Sequence, residues 1–290
     1  MEPLPAQPES LMDAIHLMYG TGVLYIFALI MGACVGSFIN VVIHRWPRGM
    51  SLVKPGSQCP SCERPIPWYW NLPVISWVLL RGKCRWCGAR ISARYLVVEV
   101  AGGLWAVLML WRFGPDLSAI AYFIFGAALI AASIIDMEHR LLPDVITVGA
   151  IPLGVVIALL PERWAPGWPV TWTESLAGVA LGGGIFLVVL LVFRYLTGRE
   201  GMGWGDVKLM GGIGAFLGYN AIFAVIFFGS ATGVITWLLL KAMKKADRDY
   251  AIPFGSFLSA AAMAVILARP WLERNWVIIE WGPIFFWNGI

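Results

Sequence analysis

The chain has 290 residues, of which 59% are hydrophobic and 13% charged, with a mean hydropathy of +0.76 and a formal net charge of +4. A soluble globular chain carries about 25% charged residues, so this composition excludes a pair of soluble domains and implies a polytopic membrane protein. The small positive charge is no argument for nucleic acid, because topology accounts for where the cations lie. The 32 Gly suit close helix packing in lipid, and the 16 Trp and 8 Tyr suit interfacial belts.

Residues 1–19 are Pro-rich at first and contain no Lys or Arg, so they lack the basic start of a secretory signal peptide. They are expected to lie outside the cytoplasm, with the apolar run 20–43 retained as a first span. A span needs about 20 apolar residues. Further spans are expected over 95–111, 118–135, 144–160, 174–193, 207–219, 221–240 and 254–268. The fold class is therefore an all-α membrane protein with about eight transmembrane helices, its core running over 95–268. Segment 161–173, with Pro161, Pro166, Pro169 and three Trp, reads as an outer interfacial loop. The tail 269–290 is broken by Glu280, Gly282 and Pro283 and reads as interfacial. With the N-terminus outside, segments 44–94, 136–143, 194–208 and 241–253 face the cytoplasm. They hold 17 of the 21 Lys and Arg, as the positive-inside rule requires.

Segment 44–94 is the one sizeable soluble piece. It contains Cys59-Pro60-Ser61-Cys62 and Cys84-Arg85-Trp86-Cys87. Two residues between thiolates let a tight turn present both sulfurs to one ion. Two such knuckles complete a tetrahedron of four thiolates, which suits a closed structural zinc site. Two redox CxxC pairs or two disulfides are the competing reading, and a cytoplasmic location argues against stable disulfides. A piece of about 50 residues also needs a staple to hold its fold. Cys34 falls inside the first apolar run and stands apart.

The stretch Gly198–Lys208 separates two long apolar runs and carries four glycines, at 198, 201, 203 and 205. Glycine spoils a helix at about 1 kcal/mol relative to alanine, so the stretch is expected to be an unwound hinge bearing Asp206 at the membrane edge. An ionisable residue there is a functional-site hypothesis by default. Asp136 ends the third apolar run, and the two spans between Asp136 and Asp206 return both to one face. Two carboxyls brought close share one proton, so that one acts as base on water and the other as acid. That is the requirement for aspartic proteolysis. Asp144 follows Pro143 and precedes an apolar run, which fits a helix-capping carboxylate. It stays open as an alternative partner to Asp136. Glu138 and Arg140 read as a solvated loop, and Glu200 as a carboxylate near the site. His139 has no second His beside it for a metal site. Lys208 either steadies a carboxylate or marks the cytoplasmic edge. No Gly-x-Ser-x-Gly or Walker motif offers a rival chemistry.

Taken in order, these motifs resemble those of the prepilin peptidase family, the type IV leader peptidases. Gly36-Ser37-Phe38-Ile39-Asn40-Val41-Val42 and His44-Arg45-Trp46-Pro47 open the resemblance. The paired Cys motifs, Arg94-Tyr95, Glu99, Asp136, Leu141-Leu142-Pro143-Asp144, Gly203-Trp204-Gly205-Asp206 and Pro253-Phe254-Gly255 complete it, over roughly residues 29–258. The resemblance implies a multi-pass enzyme of the bacterial inner membrane whose catalytic aspartates are Asp136 and Asp206. It implies removal of the basic leader of type IV prepilins and type II secretion pseudopilins, on the cytoplasmic side after a Gly. It further implies methylation of the new N-terminus with S-adenosylmethionine, since members with the Cys loop are often bifunctional. Two other readings are a peptidase without methyltransferase activity and an ion-coupled transporter. The transporter reading expects inverted repeats and broken midplane helices, and no repeat is visible.

Overall fold

The computed structural model describes residues 15, 18–161, 168–198, 201–243 and 252–275. Eight long helices stand among the described residues: α1 Val23–Arg45, α2 Ala93–Phe113, α3 Leu117–His139, α4 Asp144–Ala158, α5 Trp172–Thr197, α6 Trp204–Leu217, α7 Tyr219–Ala242 and α8 Phe254–Asn275. Their ends follow local chemistry. The Ser92 hydroxyl accepts the Arg94 N–H and starts α2. Thr171 and Glu174 form a reciprocal capping box that starts α5, and Gly198, at φ +66°, ends it. Pro143 holds an extended conformation immediately before Asp144 and launches α4.

Six of the eight helices are long and apolar enough to cross a membrane. The two shorter ones are α4, with 15 residues, and α6, with 14. At 1.5 Å per residue they are about 22 and 21 Å long, short of a hydrocarbon core of about 30 Å. The expected eight helices are therefore present, but two fall short of the length of a full span. Helix α8 runs past residue 268 to Asn275. Residues 276–290 and most of 1–17 lie outside the described residues, so the expected interfacial tail is described only at its start.

The chain divides into two compact units, Met1–Ala127 and Ala128–Ile290. In the first, α1 lies against α2 with the two backbones nearly touching. A Cβ on Gly32 would sit 2.4 Å from Gly102 O, and one on Gly102 would sit 2.6 Å from Gly32 O. Small residues allow that approach where lipid offers no hydrophobic drive for association. The Trp105 indole N–H donates to Tyr122 O at 3.1 Å.

In the second unit, α6 is the central element, and every residue from Leu209 to Leu217 is buried. It packs against α4, α5, α7 and α8. The Ser175 hydroxyl on α5 donates to Ala215 O at 2.8 Å. Gly178 and Gly214 set the α5–α6 crossing, where a Cβ on Gly214 would lie 2.1 Å from Gly178 O. Backbone cannot rotate away as a side chain can. Gly214→Ala is therefore expected to destabilise the second unit by about 1–3 kcal/mol, read as a lower unfolding midpoint in detergent. Gly184 faces open space, and Gly184→Ala serves as the control.

Candidate active site and candidate metal centre

Asp136 lies in the last turn of α3, where Arg140 adopts φ +54° and its N–H closes the helix on Asp136 O at 2.8 Å. Asp206 lies in the first turn of α6, with its N–H on Gly203 O at 3.2 Å. Both are buried, at 6% and 9% exposure. The start of α8 joins them. A Cβ on Gly255 would be 3.1 Å from Asp136 Oδ2 and 3.2 Å from Asp206 Oδ1, so both carboxylates reach to one point beside the Gly255 backbone. Next to Gly255, the Ser256 N–H donates to Asp136 Oδ2 at 2.9 Å. The Ser256 hydroxyl oxygen is 3.1 Å from that same Oδ2 and 2.7 Å from Ser133 O. Leu142 covers the pair, because a Cβ on Gly255 would meet its Cδ1 at 2.8 Å and one on Gly205 its Cβ at 2.9 Å.

The hinge expectation needs correction. Asp206 sits inside α6, and among glycines 198, 201, 203 and 205 only Gly198 has positive φ. Gly203 precedes the helix at φ −78°, which any residue adopts, and a Cβ there would come no nearer than 3.8 Å to its neighbours. Gly205 is small for a different reason, its contact with Leu142. Asp144, the alternative partner, starts α4 and takes the Lys208 ammonium at 2.8 Å. It is well exposed and engaged in that ion pair, which also gives Lys208 its place. Glu138 and His139 lie 3.9 Å apart at the end of α3, and Glu200 falls outside the described residues. Ser256 and Leu142 carry the contacts that reading the residues did not single out. The only sequence signal for Ser256 was its place after Pro253-Phe254-Gly255, at the start of an apolar run.

In the first unit, Cys59, Cys62, Cys84 and Cys87 converge, all four sulfurs lying within 4.8 Å of one another. The two knuckles repeat one backbone pattern. Cys59 N–H donates to Arg64 O and Glu63 N–H to Cys59 O. In the same way Cys84 N–H donates to Ala89 O and Gly88 N–H to Cys84 O. The turn residue has positive φ in both, +56° at Glu63 and +70° at Gly88. Backbone N–H groups of Cys87 and Trp86 directed at Cys84 pull its thiol down to about 6, while burial and the three neighbouring sulfurs push Cys87 up to about 11. Cys59 Sγ and Cys87 Sγ are 3.8 Å apart, close to the edge of a tetrahedron whose thiolates lie about 2.3 Å from a central zinc, roughly 3.8 Å. The donor set fits a four-thiolate metal. The buried Glu99 on α2 accepts the Val74 N–H at 2.7 Å, holding the insertion's turn at Val74, where φ is +63°.

Helices of spanning length and a buried pair of carboxylates at helix ends define a polytopic membrane protein with a two-carboxylate site. Residues 30–113 match the bacterial peptidase A24 N-terminal domain, and residues 123–238 match the type IV leader peptidase family. The chain is 34% identical over 278 residues to a prepilin leader peptidase/N-methyltransferase of Stutzerimonas stutzeri, covering 88% of this chain and 90% of the relative. It is 35% identical over 274 residues to the protein of that name from Burkholderia pseudomallei (strain K96243), covering 85% and 86%. It is 32% identical over 273 residues to the one from Pseudomonas aeruginosa, covering 86% and 92%. The chain belongs to the type IV leader peptidase family. No solved structure matches it.

Proposed function

We propose that this chain is a membrane aspartic endopeptidase that removes the leader of type IV prepilins and type II secretion pseudopilins after a Gly, and then methylates the new N-terminus with S-adenosylmethionine. The observation that carries the reading is the meeting of Asp136 and Asp206 beside Gly255, in a chain whose relatives bear the name prepilin leader peptidase/N-methyltransferase. Two adjoining carboxyls hold one proton between them, the state in which one takes a proton from water and the other gives one to the scissile carbonyl. Prepilin chemistry suits the arrangement, since a basic leader followed by an apolar helix puts the bond to be cut where helix meets headgroup. The 17 Lys and Arg on one set of loops favour the cytoplasmic face of the inner membrane for that cut. The four cysteines are assigned a structural zinc, whose closed coordination leaves no position for substrate.

The test is the purified protein, in detergent or lipid, with a prepilin and a labelled methyl donor. The expected products are a free leader and a mature N-terminus heavier by one methyl group. Intact prepilin would overturn the reading, and a mature but unmethylated product would reduce it to a peptidase. One zinc per chain is expected by elemental analysis, and Cys84→Ser should lose it. Full zinc content in that variant would refute the four-thiolate assignment.

A further inference from the structure

The insertion between α1 and α2 leaves large apolar side chains uncovered. Trp68, Tyr69, Leu72, Ile75, Val78 and Leu79 are 41% to 78% exposed, the last three on a short helix Ile75–Leu79. Such a cluster marks an interaction site rather than an ordinary wetted surface. It is held in place from two sides. A Cβ on Gly82 would meet the Trp77 ring at 2.8 Å, the Gly82 N–H donates to Trp77 O at 2.9 Å, and the Arg85 guanidinium lies over the Trp70 ring at 5.5 Å. These contacts tie the cluster to the second cysteine knuckle. On the other side it is tied to α2, which fixes its level. The 21 residues of α2 make about 31 Å, the thickness of a hydrocarbon core of about 30 Å, so Ala93 stands at the boundary. Glu99 lies about 9 Å further along, and its buried carboxylate takes the Val74 N–H at 2.7 Å. A helical side chain leans back toward the helix start, which leaves the Val74 turn at the bilayer boundary. Val74 has φ +63°, a conformation a β-branched residue keeps only when its surroundings impose it.

Charge selects what covers the cluster. Residues 44–94 hold nine Lys and Arg and a single acid, Glu63. A zinc ion with four thiolates offsets only part of that surplus. A basic leader peptide is repelled by such a surface, whereas anionic phospholipid is attracted to it. Trp and Tyr among aliphatic side chains are also the composition that lodges at headgroup level. We propose that residues 68–79 form a membrane-surface foot. Its apolar side chains enter the bilayer that holds α1 and α2, and the cations of the insertion meet anionic phospholipid headgroups. The inference stands apart from the peptidase reading.

The experiment replaces Leu79 of the full chain with the photoreactive residue benzoylphenylalanine. The protein is held in nanodiscs of phosphatidylglycerol and phosphatidylethanolamine, and adducts are read by mass spectrometry after illumination. Val97, an exposed residue of α2, carries the same group as the lipid-facing standard. Phospholipid adducts are expected at Leu79 in a yield comparable with that at Val97. Trp68 is a second position, read in the same way should the Leu79 variant not fold. No phospholipid adduct at either position, with Val97 labelled, would overturn the proposal. So would illumination of native membranes that joins these positions to another protein in place of lipid, which would make the cluster a partner's docking surface. With phosphatidylcholine in place of the anionic lipid, the Leu79 yield should fall about fivefold, the weight of roughly one cation at a charged surface, while Val97 holds its yield. An unchanged Leu79 yield would overturn the part assigned to anionic headgroups.

Discussion

Asp136→Asn and Asp206→Asn are each expected to lower prepilin cleavage by about four orders of magnitude, while Asp144→Asn keeps most of the wild-type rate. Asparagine has nearly the shape of aspartate, so the burial and packing around both positions survive and the loss is chemical. On the peptidase reading, one carboxyl takes the proton from water while the other gives one to the carbonyl, so the loss of either leaves the step without its partner. Asp144 is carboxylate of another kind, well exposed and paired with Lys208 at 2.8 Å. Losing an exposed ion pair costs about 0–1 kcal/mol of stability, which a small shift in unfolding midpoint would report. Cleavage by the three variants at equal folded concentration decides the matter. Activity lost in Asp144→Asn and retained in Asp136→Asn would move the partner of Asp206 to Asp144.

Gly255→Ala is expected to reduce cleavage by about a hundredfold with the fold kept. The added methyl would stand 2.8 Å from Leu142 Cδ1, 3.1 Å from Asp136 Oδ2 and 3.2 Å from Asp206 Oδ1. The end of a leucine side chain can swing aside. The carboxylate oxygens are held by helix ends and can only separate, and a displacement of about 1 Å in a reacting group costs about 10²-fold. Gly203→Ala is the informative comparison. Gly203 lies three residues before Asp206 within the Gly203-Trp204-Gly205-Asp206 motif, yet a Cβ there would clash with nothing, its nearest atoms, Asp206 Oδ2 and Gly205 N, lying at an ordinary contact distance of 3.8 Å. It should cut near the wild-type rate. Equal loss in both variants would point instead to a flexible hinge at 198–205, as the run of glycines alone suggested.

That contrast shows how much the sequence disclosed. The eight helices were legible because each is a long apolar run ended by Gly, Pro or a capping residue, as at Gly198, Pro143 and Thr171. Their roles were less so. A stretch such as Leu209–Leu217 is equally apolar whether it faces lipid or protein, so hydropathy gave a short span over 207–219 but could not mark α6 as wrapped by its neighbours. The four-cysteine centre was legible from spacing. The likeness of its two knuckles was not, because Glu63 and Gly88 share a backbone angle and no side-chain chemistry. The glycines misled about conformation, since Gly205 and Gly255 are small to let Leu142 and the carboxylates in rather than to bend the chain. Ser256 was nearly invisible, one hydroxyl at the start of an apolar run, its meaning fixed only by a carboxylate 120 positions earlier.

The two carboxylates share one further circumstance. Asp206 occupies the first turn of α6, and Asp136 receives the N–H of Ser256 from the first turn of α8. Each helix start carries the equivalent of about half a positive elementary charge from its aligned peptide dipoles. Two such ends together come to about one positive charge, matching the single negative charge of a pair that keeps one proton. On the peptidase reading, backbone at two helix starts thus offsets much of the charge of the pair, with Arg140 at the end of α3 as the cation acting on Asp136.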